Sequence, residues 1–153
     1  MVTSASLFEA HIAVASLDAS IAFYRDVLGF ELAHTTTDRD AAFFWIGARG
    51  RAMLGAWLAG PAPQKITTHV AFAASLDEVL ASPPALRAAG ITPLDFDGQP
   101  TDEPVVLGWM PAASVYFRDP DGHLLEYIAM LPESPQAESG VLPWSAWQRR
   151  RRG

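Results

Sequence analysis

Apolar and polar positions alternate near the start of the chain, as they do in a half-buried β-strand. One face of this predicted strand, residues 8–15, is apolar and carries Ala10, Ile12 and Val14. The opposite face carries Glu9, His11 and Ala13. Apolar residues at helical spacing follow, with Asp18 as the predicted N-cap and Gly29 as the residue that ends the helix. Alternation then predicts three further strands, at residues 30–36, 41–48 and 51–58.

The second half of the chain predicts the same order of elements. A strand at 67–73 precedes a helix over 76–89, within which Pro83 and Pro84 are expected to split the helix or delay its start. A short strand near 92–96 and a long polar loop follow, the loop covering 97–111. The last predicted elements form a hairpin, in which 112–118 pairs with 123–130 across an Asp-Pro-Asp-Gly turn at 119–122.

The two halves also resemble each other residue by residue. The segment that begins at His11 reads His-Ile-Ala-Val-Ala-Ser-Leu-Asp, and it returns from His69 as His-Val-Ala-Phe-Ala-Ala-Ser-Leu-Asp. Residues 41–50 align without a gap to 113–122. A histidine at the same point of both copies suggests a site built where the copies meet. We therefore predict one domain over 1–131, made of module one (7–58), a linker (59–66) and module two (67–131), followed by a tail (132–153).

Composition narrows the classes of function. The chain has 153 residues, no cysteine and a formal net charge of −6, so disulfides, thiolate metal sites and thiol nucleophiles are excluded. Four of the eleven basic residues lie at 149–152, which leaves a strongly acidic body that should repel nucleic acid. The arginine run is either a solvated tail or a contact for an anionic surface. With no signal-like start and no stretch of about 20 apolar residues, we expect a cytoplasmic protein with no membrane partner.

Three motifs together resemble the vicinal oxygen chelate superfamily, which includes glyoxalase I, extradiol dioxygenases, fosfomycin-resistance proteins and bleomycin-binding proteins. They are His-Ile-Ala-Val from His11, Phe-Tyr-Arg-Asp-Val-Leu-Gly-Phe over 23–30, and Asp-Pro-Asp-Gly-His-Leu-Leu-Glu over 119–126. The resemblance covers about 7–131. It implies an α+β fold of two tandem βαβββ modules that form a curled, mixed-sheet half-barrel with helices on the outer face. It also implies a homodimer, in which the modules pair within or between chains.

Three residues are the candidate metal ligands. His11 and His69 lie at equivalent points of two strands, and Glu126 lies on the last strand of module two. Two imidazoles and one carboxylate suit a divalent ion such as Zn, Mn, Ni or Fe(II), and they leave open positions for a chelating substrate. The resemblance points to the same three residues as metal ligands of the superfamily.

One position departs from the glyoxalase I pattern that the resemblance implies. Gap-free alignment of the two hairpins places Leu54 opposite Glu126, and neither Leu54 nor the adjacent Gly55 can bind a metal. This argues against glyoxalase I chemistry. Extradiol dioxygenases usually also need acid/base histidines, and the two remaining histidines, His34 and His123, are both predicted to lie at the surface.

Two aromatic residues are candidates for substrate binding. Tyr116 lies ten residues before Glu126 and either holds a substrate oxygen or fills the core. Trp109 lies in the predicted polar loop and is a candidate lid or wall. The sequence thus predicts a metal-dependent lyase, isomerase, dioxygenase or thiol transferase that acts on a small molecule with vicinal oxygens. The alternative is a metal-free protein that binds or sequesters a small molecule, of the bleomycin-resistance type.

Overall fold

The computed structural model describes residues 7–36, 40–60 and 67–152, with the side chain of Arg152 excepted. Most of the predicted linker, residues 61–66, therefore lies outside the described residues. The chain divides into two compact units. The first comprises the chain up to Thr68 together with Asp119–Asp121, and the second comprises His69–Arg118 and the chain from Gly122 onward. None of the described helices combines the length and the hydropathy that crossing a membrane requires.

The first unit contains a four-stranded mixed sheet and one helical segment. The elements are β1 (Glu9–Val14), α1 (Leu17–Ile21), a π-helical continuation of α1 (Ala22–Val27), β2 (Glu31–Thr36), β3 (Ala41–Ile46) and β4 (Ala52–Leu58). The strand order is β1-β4-β3-β2, with β1 parallel to β4 and the other pairs antiparallel. The predicted order of one strand, one helix and three strands is confirmed.

The helical segment of the first unit starts two residues earlier than its sequence suggests. Ser16, and not Asp18, is the N-cap: its side chain accepts a hydrogen bond from the backbone N–H of Ala19, and Asp18 lies in the first turn. A serine hydroxyl satisfies an otherwise unpaired N–H of the first turn as well as a carboxylate does. The segment ends as predicted at Gly29, whose φ of 74° is one that glycine adopts without strain.

Tyr24 lies at the centre of the first unit. It is fully buried, and its ring packs within 5.2–6.2 Å of the rings of Phe23, Phe30 and Phe44. Its hydroxyl donates a hydrogen bond of 3.0 Å to Asp119, which is also buried. Burial, followed by the negative charge of Asp119, raises the pKa of the Tyr24 hydroxyl well above its ordinary range.

The second unit contains a five-stranded sheet, one long helix and the C-terminal segment. The elements are β5 (His69–Ala73), α2 (Leu76–Ala88), β6 (Val105–Leu107), β7 (Ala112–Arg118), β8 (Leu124–Met130), a 3-10 turn (Ala137–Ser139), β9 (Val141–Pro143) and α3 (Trp144–Arg152). The strand order is β5-β8-β7-β6-β9, with β5 parallel to β8. The predicted closing hairpin, β7 with β8, is confirmed. Two mixed sheets with helices confirm the α+β class.

Two prolines do not break α2, so the prediction of a split or delayed helix was wrong. Pro83 and Pro84 lie inside a continuous helix. Pro83 lacks the N–H that would reach the carbonyl of Val79, and the hydroxyl of Ser82 donates to that carbonyl instead, at 2.7 Å. The helix start is also firmly fixed, because Ser75 and Glu78 form a reciprocal capping box.

The segment between α2 and β7 differs from its prediction. The expected strand at 92–96 is reduced to a single bridged residue, Leu94, which pairs with Pro100 and Tyr116. The expected loop contains β6, whose three apolar residues pair with both β7 and β9. A run of three apolar residues is too short to show the alternation from which strands are predicted.

The C-terminal segment packs onto the second unit. Strand β9 pairs with β6, and Trp147 is 1% exposed within the cluster that also holds Val79, Val106 and Leu131. Glu103 caps α3: its carboxylate accepts hydrogen bonds from the backbone N–H and the hydroxyl of Ser145. The segment from β9 to α3 is therefore part of the second unit.

Candidate functional site

The two histidines of the repeat lie on exposed faces of their strands. In β1, Ile12 and Val14 are buried while His11 is exposed. In β5, Phe72 is buried while His69 is exposed. This confirms the alternation predicted for β1, and β5 shows the same pattern: each histidine points away from the buried face of its strand.

His69 and Glu126 form a close pair in the second unit. Strand β5 runs parallel to β8, and Ala71, two residues after His69, is the Cα partner of Glu126. The Nε2 atom of His69 lies 3.0 Å from Oε2 of Glu126, although Glu126 is only 4% exposed. The other carboxylate oxygen, Oε1, is buried and has no hydrogen-bond partner among the described residues. A buried carboxylate oxygen without a partner is costly in an apolar environment.

The geometry of this pair fits two ligands of one divalent ion. With bonds of about 2.1 Å, two ligand atoms at a right angle lie about 3.0 Å apart, and at a tetrahedral angle about 3.4 Å apart. The observed separation between His69 and Glu126 is 3.0 Å. An imidazole and a carboxylate are also ligands that first-row divalent metals accept. The second unit therefore supplies two of the three expected metal ligands in a geometry that fits one ion.

Tyr116 lies beside this pair and is largely buried, in a cluster with Leu94 and Val105, so it helps to fill the core and its role toward a substrate stays a prediction. It is the Cα partner of Glu126 across the β7–β8 hairpin, and its ring centroid lies 6.0 Å from that of His69. Burial, followed by the charge of Glu126 and a side-chain hydrogen bond to it, raises the pKa of the Tyr116 hydroxyl. The Tyr116 ring also contacts Phe96, at 6.2 Å between centroids, and Phe96 is 55% exposed.

His11 has different neighbours in the first unit. Its Nε2 atom lies 3.1 Å from Oε1 of Glu9, and its ring lies 5.4 Å from that of Trp57 and 6.1 Å from that of Phe43. Gly55 is its Cα partner in β4. A Cβ atom at position 55 would lie 2.7 Å from the His11 ring, so the imidazole can occupy this position only above a glycine.

The strand register corrects the alignment of the two halves. Leu54 pairs with Ala10, on the face opposite His11, and is 1% exposed. The register equivalent of Glu126 is Trp57, because Trp57 pairs with Ala13, two residues after His11. The alignment to Leu54 was wrong because gap-free counting ignores the register of each parallel strand pair. The conclusion that no carboxylate occupies the equivalent position still holds.

The other candidate residues lie elsewhere. Trp109 is 59% exposed in the turn between β6 and β7. This turn precedes the first residue of β7, which lies about 13 Å along the strand from Tyr116. The structure does not bring Trp109 to the Glu126 pair, and its role stays a prediction. His34 is exposed on β2, as predicted. His123 is 1% exposed, so its predicted surface position was wrong; the residue after the turn already starts to enter the sheet.

The structure brings His69 next to Glu126 and His11 next to Glu9, but it does not show the three candidate ligands together. Within the described ranges, no three His, Asp or Glu side chains are grouped closely enough to hold a metal ion. His11 belongs to the first unit, and His69 and Glu126 belong to the second. The sequence placed Glu9 on the His11 face of β1 but gave it no role, although that position was the signal for its contact with His11. The sequence did not identify Phe96 as a neighbour of Tyr116.

Comparisons with known proteins agree with this description. Residues 6–127 match the family model of the Glyoxalase/Bleomycin resistance protein/Dioxygenase superfamily. An integron cassette protein from the mobile metagenome of the Halifax Harbour sewage outfall is 31% identical, with a TM-score of 0.71 over 82% of this chain and 98% of that chain. A lactoylglutathione lyase from Agrobacterium tumefaciens is 26% identical, with a TM-score of 0.62 over 83% and 95%. A glyoxalase/bleomycin resistance protein/dioxygenase from Nocardioides is 25% identical, with a TM-score of 0.64 over 88% and 89%. Among curated proteins, none matches the chain significantly.

Proposed function

Because the chain belongs to the Glyoxalase/Bleomycin resistance protein/Dioxygenase superfamily, we propose that it is an enzyme that uses one divalent metal ion to act on a small molecule with two adjacent oxygens. The observation that carries the proposal is the pair of His69 and Glu126, 3.0 Å apart, with a buried carboxylate oxygen that has no partner among the described residues. His11 is proposed as the third ligand on the ground of the sequence repeat and its equivalent strand position.

When bound, the metal would supply Lewis-acid stabilisation of negative charge on a substrate oxygen. The protein residues have separate tasks. Glu126 and His69 would hold the ion, and the burial of Glu126 would keep water from competing for its carboxylate. Tyr116, the cross-strand neighbour of Glu126 with its ring 6.0 Å from that of His69, would donate a hydrogen bond to a substrate oxygen. Lyase, isomerase, dioxygenase and thiol-transferase reactions are all compatible with these tasks.

A metal-free binding protein of the bleomycin-resistance type is the second candidate. The observation that favours it is the pair of aromatic rings beside His11, namely Phe43 and Trp57. Such rings can bind a flat ligand by stacking without catalysing a reaction. It does not explain the buried carboxylate of Glu126, which a binding protein for a metal-free ligand has no need to retain.

Activity with defined metals separates the two candidates. The full-length protein, loaded in turn with Zn, Mn, Ni or Fe(II), is assayed against dicarbonyls, catechols and epoxides. We expect turnover with one substrate class, loss of turnover on chelation, and its return when the metal is restored. Glu126→Gln should remove the activity, and His34→Ala, at an exposed position of β2, should keep it. Ligand binding that survives chelation, with no turnover under any metal, would support the binding protein instead.

We further propose a homodimer as the functional assembly. Each sheet exposes the face that carries its histidine, and β1 and β5 are edge strands of their sheets in the described residues. An edge strand presents unpaired N–H and C=O groups with which a strand of a second copy can pair. Light scattering on the full-length protein at micromolar concentration tests this proposal, and a monomer contradicts it.

A further inference from the structure

Two aromatic side chains form a wall beside His11. Phe43 is the Cα partner of Gly55 in β3, and Trp57 follows Gly55 by two positions in β4, so both lie on the His11 face. The ring centroids of Phe43 and Trp57 are 5.9 Å apart, and each ring also contacts the imidazole. Both residues are only partly buried. These rings therefore present a surface to a ligand.

The strands around His11 and around the pair of His69 and Glu126 carry no positively charged side chain. Strands β1, β3, β4, β5 and β8 contain no lysine or arginine. Their charged residues are Glu9 on β1 and Glu126 on β8. The proposed metal ion can compensate the charge of the two chelating oxygens, but a further anionic group, such as the carboxylates of a glutathione adduct, would find no lysine or arginine on these strands. A ligand that is neutral apart from its chelating oxygens is therefore favoured.

The register gives Trp57 a defined place relative to the metal ligands. Trp57 occupies in the first unit the register position that Glu126 occupies in the second. Each is the Cα partner of the residue two positions after the histidine of its own unit. An indole, unlike a carboxylate, would not bind a metal ion at this position. It offers a flat apolar face 5.4 Å, between ring centroids, from the imidazole of His11.

We propose that Trp57 and Phe43 form the ring-binding surface of the site, and that the substrate class is a neutral, planar, conjugated molecule with two adjacent oxygens. The proposal rests on the proposed function, because a metal bound by His11 is what brings the two oxygens next to Trp57. Gly55 supports the arrangement, since a Cβ atom at this position would lie 2.7 Å from the imidazole that contacts both rings.

Two hydroxamic acids test this inference on the full-length, zinc-loaded protein. Benzohydroxamic acid and acetohydroxamic acid carry the same pair of chelating oxygens and differ in a phenyl ring against a methyl group. The wild type should bind the phenyl compound about tenfold more tightly, because it stacks a ring on Trp57. Trp57→Ala should remove most of this preference while the affinity for acetohydroxamic acid and the zinc content stay unchanged. Trp57→Phe should keep most of the preference.

Matched variants make the result decisive. Leu58→Ala, one position along β4 and on the opposite face, should leave both affinities unchanged. If Trp57→Ala does not bind zinc, Phe43→Leu replaces it and should weaken only the phenyl compound. Equal affinity of the wild type for both hydroxamic acids overturns the ring-binding surface and leaves the proposed metal enzyme intact. A wild type that binds neither zinc nor either compound overturns the proposed function and this inference with it.

Discussion

The imidazole of His69 and the carboxylate of Glu126 meet at 3.0 Å because the strands that carry them, β5 and β8, run parallel and adjacent in one sheet. The contact sets an exposed histidine against an almost fully buried glutamate. Without a metal ion this is a poor arrangement, because a buried carboxylate oxygen lacks a hydrogen-bond partner among the described residues. The stability of the metal-free protein therefore reports on the site.

Replacing the buried glutamate should stabilise the protein when no metal is present. We expect Glu126→Met to raise the free energy of unfolding in the presence of chelator by about 1 kcal/mol or more, because a buried charge is exchanged for an apolar side chain of similar volume. Added zinc should stabilise the wild type and not the variant. Denaturant unfolding with and without zinc measures both effects. Glu138→Met, at an exposed position, is the control. A large loss of stability in Glu126→Met without metal would contradict the interpretation.

The buried tyrosine of the first unit should make stability depend on alkaline pH. The pKa of Tyr24 is raised in the folded state, so the folded protein keeps a proton that the unfolded chain releases above about pH 10. Stability is therefore fully present below about pH 10 and falls as the pH rises further, by up to about 1.4 kcal/mol per pH unit for this group.

Tyr24→Phe should remove the contribution of this hydroxyl to the alkaline pH dependence of stability. Its free energy of unfolding should be lower than that of the wild type near neutrality by about 1–3 kcal/mol, because Asp119 loses a buried donor. The difference between the two proteins should shrink as the pH rises above 10. Urea unfolding from pH 7 to 11 gives both curves, and parallel curves would show that Tyr24 does not ionise on unfolding.

The C-terminal segment should be required for the stability of the second unit. A chain ending at Pro132 loses β9 and the side chain of Trp147, which is 1% exposed. We expect a clear fall in the melting temperature on truncation, and a loss of about 3–5 kcal/mol for Trp147→Ala alone. Thermal unfolding followed by circular dichroism measures it. Unchanged melting of the truncated chain would contradict this role.

The protein should show little or no isomerase activity toward the hemithioacetal of methylglyoxal and glutathione. The position equivalent to Glu126 in the first unit holds Trp57, which cannot act as a ligand or a base. Turnover is measured with each of the four metals. Robust turnover would point to another carboxylate, and the first to replace would be Glu9, 3.1 Å from His11.

Much of the fold was predictable from the sequence, because alternation and turn residues act locally. The strand faces of His11 and His69 and the β7–β8 hairpin followed from such signals. What sequence alone did not reveal depends on contacts between distant segments. The register that makes Trp57 the equivalent of Glu126 is set by pairing between separate strands, and the carbonyl of Val79 has its partner in Ser82 only once α2 has formed. Glu126 itself was predicted from its motif, but its burial and its unpaired oxygen were not.

Zinc binding by single-residue variants tests the central claim most directly. Apo-protein is titrated with zinc by calorimetry, and the bound metal is counted after dialysis. The wild type should bind one ion per chain, and His11→Ala, His69→Ala and Glu126→Ala should each weaken binding by more than about 100-fold, because loss of a direct ligand costs more than loss of an outer contact. His34→Ala, exposed on β2, should bind like the wild type. Full zinc occupancy in His69→Ala would contradict the account.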